Sequence, residues 1–61
     1  FMNKVLVNGT VSTETDDDKT AMMAFAQAIQ KLMVMDDKTN MQIELQTGGE
    51  FYRLTSEYGK L

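Results

Sequence analysis

Residues 4–12 read KVLVNGTVS, and the conformation of this run decides the class of fold. It is rich in β-branched residues, which suit a pleated strand better than a helix. Alternation places Val5, Val7 and Val11 on one face and Lys4, Leu6, Asn8, Thr10 and Ser12 on the other. We therefore expect one strand over residues 4–12. Gly9 falls on the first face, where it marks a bulge or a close approach by the helix.

Outward from this run, TETDDDKT carries helix-start signals. Thr13, Thr15 and Asp16 are each candidate N-caps, and Asp16, Asp17 and Asp18 place negative charge at the positive end of a helix dipole. A helix is expected over residues 16–35, followed by a turn at DDKTN, Asp36 to Asn40. The last third reads as a hairpin. MQIELQ (41–46) and residues 50–58 suit strands, and Thr47-Gly48-Gly49-Glu50 joins them. A two-residue Gly-Gly turn, favoured because its central residues need positive φ, sets Glu44 opposite Arg53, Ile43 opposite Leu54 and Leu45 opposite Tyr52. That register pairs opposite charges and segregates the apolar residues on one face; a three-residue loop would scramble both.

The expected architecture is α+β: a single small βαββ two-layer domain over residues 1–61, one helix packed on a three-stranded sheet with a C-terminal β-hairpin. The first strand can lie beside either strand of the hairpin. Phe1 ahead of Met2 reads as an addition to a chain that starts at Met2.

The helix poses a problem of its own. At 100° per residue, Ala21, Met22, Phe25, Ala28, Ile29 and Leu32 form a wedge expected to pack on Val5, Val7, Ile43, Leu45 and Leu54. The remaining arc should be charged, yet it holds a ridge of Met23, Gln27, Gln30 and Val34, with Met33 beside it. Lys19 and Lys31 flank that ridge. A chain of 61 residues buries only about 60% of its unfolded surface, and disulfides, metals or partner subunits usually supplement so small a core. Without Cys or His, disulfides and zinc sites are excluded. Assembly is the remaining route. We expect a homo-oligomer, most simply a two-fold dimer, through Met23, Gln27, Gln30 and Val34. A second contact surface is expected on the outer sheet face at Leu6, Phe51 and Arg53; edge-to-edge pairing of an exposed strand is the further alternative.

Chemistry is poorly supported. Adjacent helical carboxylates point about 100° apart, so Asp16, Asp17 and Asp18 cannot converge on one cation, and the run lacks the pattern of a calcium loop. No Ser or Thr has an evident base beside it, and Gly48-Gly49 leads into a strand, not into the helix that a phosphate loop needs. We expect no enzyme, no catalytic residue, no metal and no cofactor. Six basic against nine acidic residues give a net charge of −3, which disfavours nucleic acid. No apolar run is long enough for a signal peptide core or a membrane span, so the cytoplasm is the expected location.

Three function classes follow. The first is a small acidic protein-interaction module, a homo-oligomeric regulator or inhibitor of another macromolecule, of a kind frequent in phages and mobile elements. The second is a small-ligand-binding oligomer. In size and in strand–helix–strand–strand order the chain resembles the dodecins, small oligomeric flavin binders; the resemblance, one of topology, implies a ligand held between subunits. The chain has no Trp and no motif for stacking a flavin. The third is a sheet-surface binder of single-stranded nucleic acid using Phe51, Arg53 and Tyr58, although alternation turns Tyr52 to the opposite face.

Overall fold

Asn8 and Gly9 both stand at positive φ, 53° and 83°. Two successive residues in that region provide the backbone of a tight hairpin turn, for which Asn-Gly is the preferred pair. The expected single strand over residues 4–12 is therefore two strands folded back on each other. The computed structural model describes residues 2–34 and 40–56. Its elements are β1 (Asn3–Val7), β2 (Thr10–Thr15), α1 (Asp18–Val34), β3 (Met41–Gln46) and β4 (Phe51–Ser56).

The sheet is antiparallel throughout, in the order β2-β1-β3-β4. The domain is α+β, as expected, but ββαββ with four strands in place of βαββ with three. The strand order behind the dodecin resemblance goes with that change. In β1–β2 the register runs Val7 to Thr10 and Leu6 to Val11, then slips so that Val5 faces Thr13. Ser12 is the extra residue of this bulge, and its hydroxyl donates to the Val5 carbonyl at 3.1 Å. Val11 consequently shares the face of Leu6, not that of Val5 and Val7. A two-residue turn reverses the parity that simple alternation assumes.

β1 lies beside β3, with Val5 opposite Leu45 and Val7 opposite Ile43. The second hairpin has the expected register: Glu44 faces Arg53, Ile43 faces Leu54, and Leu45 faces Tyr52. The turn reaches it differently from expectation, since Gly49 is not in the left-handed region. Thr47 holds it instead. The Thr47 amide donates to the Glu50 carbonyl at 3.0 Å, and the Glu50 amide donates to Thr47 Oγ1 at 3.0 Å.

The helix begins at Asp18, and its N-cap is Asp17, not Thr13, Thr15 or Asp16. The Asp17 carbonyl accepts the Ala21 amide at 3.1 Å and its carboxylate accepts the Thr20 amide at 3.2 Å. Thr13 and Thr15 belong to β2; Thr15 Oγ1 accepts the Asp17 amide at 3.1 Å, turning the chain from strand to helix. The expected helix end at Met35, the Asp36-Asp37 turn, and residues 57 and 58 of the last expected strand lie outside the described residues.

The core is small: Val5, Ala21, Leu32, Ile43 and Leu45, with Ala24 and Phe25 packed against it. Met22 and Leu54, both expected there, are exposed. The fourth strand explains this. The helix lies against β2, β1 and β3, so its buried stripe turns toward Ala24 and away from Met22, and among the described residues β4 receives at most marginal cover.

Candidate interaction surfaces

Three surfaces present more than isolated apolar residues. The first is the expected helix ridge. Met23, Gln27, Gln30 and Val34 are all exposed, Met23 at 55% and Val34 at 79%. They occupy an arc about 60° wide, opposite the buried Ala21 and Leu32. Gln27, Gln30, Lys31 and Val34 frame one shallow depression on it.

The second is the outer face of the sheet, where cross-strand register sets Val11, Leu6, Glu44 and Arg53 in one row. Glu44 is buried despite its charge. Its carboxylate accepts the Gln42 side-chain amide at 2.8 Å and stands 4.0 Å from the Arg53 guanidinium. That guanidinium lies 5.4 Å from the centre of the Phe51 ring, within cation–π range. The structure therefore joins Arg53 to Phe51, whereas Leu6 is separated from both by Glu44. Val11, not expected on this face, pairs with Leu6 there.

The third surface is where the helix stops short of β4. Tyr52 and Leu54 share the face of Leu45 and Ile43 but remain 46% and 38% exposed. Ala24, Gln27 and Lys31 lie on the flank of α1 that meets Ser12 and Thr13 of β2. The opposite flank, with Met22, Ile29 and Met33, therefore looks toward β4. Met22 and Met33 are exposed. Sequence reasoning missed this surface because it assigned Met22 and Leu54 to the core; the available signal was Asn8-Gly9, which adds the strand that displaces the helix.

Between α1 and the sheet lies a cleft of 360 Å³ whose lining includes Val7, Ala28, Leu32 and Ile43 with the polar Ser12, Thr13 and Lys31. Among the described residues no group of three or more Asp, Glu, His or Cys is arranged to hold a metal ion, and no helix is long and apolar enough to cross a membrane. The Asp17 carboxyl is held below its ordinary value of 3.8, first by the Thr20 hydroxyl and then by the backbone amides of Thr20 and Lys19. That is the behaviour of a helix cap. No family model, curated protein or solved structure matches the chain.

Proposed function

We propose that the protein is a small acidic interaction module that assembles with copies of itself and regulates or inhibits another macromolecule. The observation that supports it is the amount of apolar side chain outside the core. Met22, Met23, Met33 and Val34 on α1, with Phe51, Tyr52 and Leu54 on β4, are exposed around a core of five apolar residues buried among those described. Methionine adapts to irregular partner surfaces, and contiguous exposed apolar area marks contact sites. In this reading the ridge of Met23, Gln27, Gln30 and Val34 is a contact surface that like-charged copies can approach, since it carries no charge of its own. The small size and acidity of the chain are the grounds for reading it as a phage or mobile-element product, and the lack of an apolar run long enough for a signal core or a membrane span is the ground for placing it in the cytoplasm.

Light scattering at micromolar concentration tests assembly; a monomer mass counts against it. For the partner, capture by the native chain should be lost when Met23→Glu and Val34→Glu are combined. Capture unaffected by that pair moves the contact off the ridge. The cleft favours a second reading, a small-ligand binder, because 360 Å³ falls in the range of small-molecule sites. Quenching of an apolar dye in the native chain, abolished by Ala28→Trp filling the cleft, would support that alternative.

A further inference from the structure

The two edges of the sheet are not alike. β2 is guarded: it is bulged at Ser12, carries the charged Glu14 and lies under the helix. Bulges and charges are the usual means by which an edge strand avoids pairing with another chain. Among the described residues β4 has no bulge, at most marginal helical cover, and no strand paired with its outer side. Its sequence, FYRLTS, has high strand propensity. Its only charge is Arg53, and the only charge on β3 is Glu44, 4.0 Å away. Charge is balanced at both edges, Lys4 opposite Glu14 at one and Glu44 opposite Arg53 at the other, so two copies add no like charge along β3–β4, and it is the bulge and the helix that close β2 and leave β4 open.

We infer that two copies of the chain join by antiparallel β4–β4 pairing about a two-fold axis at Tyr52. This rests on the proposal that the protein assembles with itself, and it assigns the surface. The Thr47–Glu50 bond closes the hairpin, so bonded pairs alternate from there and the amides and carbonyls of Phe51, Arg53 and Thr55 point to the open edge. Keeping both helices on one face puts the axis through a residue. An axis at Arg53 sets guanidinium against guanidinium. An axis at Leu54 sets Arg53 opposite Thr55 and carries the pairing of Phe51 beyond the described end of β4. With the axis at Tyr52, Phe51 and Arg53 exchange backbone bonds with Arg53 and Phe51 of the second copy. The contact of Arg53 with Phe51 within one chain is then repeated between chains. The two copies bury their edges and merge the uncovered Tyr52 and Leu54 into one apolar strip; β4 then takes the place of the helix ridge as the contact between copies, and the ridge is left for the other macromolecule.

The chain has no cysteine, so single-cysteine variants report proximity directly. Residues on the axis form a non-bonded pair with Cα atoms about 4.5 Å apart, within disulfide reach. Tyr52→Cys should crosslink to a dimer under mild oxidation, whereas Val11→Cys on the guarded edge and Val34→Cys on the ridge should not. In a synthetic chain, N-methylation of the Arg53 amide should lower the sedimentation mass to the 6.9 kDa of one chain, and N-methylation of the Val11 amide should leave the dimer intact. If the methylated Arg53 chain does not fold, amide exchange decides: Phe51 and Arg53 should lose protection on dilution of the native protein, and protection independent of concentration overturns the inference. A dimer that survives N-methylation at Arg53 and crosslinks through Val34→Cys overturns the β4 assignment and leaves self-assembly standing. A native monomer at all concentrations overturns both.

Discussion

The Asn3 side-chain amide donates to Asp18 Oδ1 at 2.8 Å, tying the first residue of β1 to the first residue of α1. Asn3 is buried and Asp18 is exposed, so the two ends of this bond are unequal. Removing the acceptor strands a buried amide. Asp18→Ala should cost about 1–3 kcal/mol, a large share of the roughly 3–9 kcal/mol expected of a chain this long. Adding Asn3→Leu should recover most of that loss, because no unpaired amide then remains. Urea unfolding of the four members of this cycle measures the coupling.

Two glycines in two turns should respond oppositely to alanine. Gly9 has open space around its missing Cβ but a φ of 83°, so Gly9→Ala should destabilise by about 1–2 kcal/mol through backbone strain alone. Gly49 has equally open space and no left-handed φ. Gly49→Ala should stabilise by about 0.4–1 kcal/mol by restricting the unfolded chain. Thermal melts of the two variants should move in opposite directions.

Acid should expose the cap. The folded Asp17 carboxyl titrates below 3.8, with hydrogen bonds from Thr20 the leading cause. A depressed folded value contributes stability that is present above the unfolded value and disappears as pH falls through the folded one. Asp17→Ala should therefore lower the melting temperature at pH 7. The gap between variant and native should close as pH drops below 3.8.

Neighbouring residues on α1 should behave as opposites. Leu32 is 4% exposed and Met33 is 68% exposed. Leu32→Ala should cost about 2–5 kcal/mol and bring the domain near unfolding at 25 °C. Met33→Ala should stay within about 0.5 kcal/mol, as surface substitutions away from special features do. Circular dichroism of both variants checks the pair.

The second hairpin was legible because three signals agree on one register: the turn length, the Glu44–Arg53 pair, and the shared face of Ile43, Leu45, Tyr52 and Leu54. The helix was legible from its period and its acidic start. The first hairpin was not, because Val5, Val7 and Val11 alternate without interruption if Gly9 is counted as one more strand residue. Asn8-Gly9 is the competing signal, and given its preference for positive φ it outweighs alternation. The candidate surfaces inherit that error in part. The ridge from Met23 to Val34 depends on helical period alone and is exposed as expected. The bare face of β4 depends on where the helix sits, and so on how many strands compete for it.

Asn8 does more than turn the chain. Its amide donates to the Gln42 carbonyl at 2.8 Å, and its side-chain Oδ1 accepts the Gln42 amide at 2.9 Å across a separation of 34 residues. Each hairpin closes locally through a two-residue turn, whereas joining β1 to β3 must close the whole intervening span. Loop closure over that length carries an entropy cost of roughly 3 kcal/mol, before any constant term. We therefore predict that the rate-limiting step of folding is the joining of β1 to β3, at the seam where Asn8 meets Gln42. An Asn8→Gly chain keeps the permissive turn but loses the side-chain acceptor, and its destabilisation should appear in the refolding rate rather than in the unfolding rate. The same residue that starts the first hairpin helps set the speed at which the sheet becomes whole.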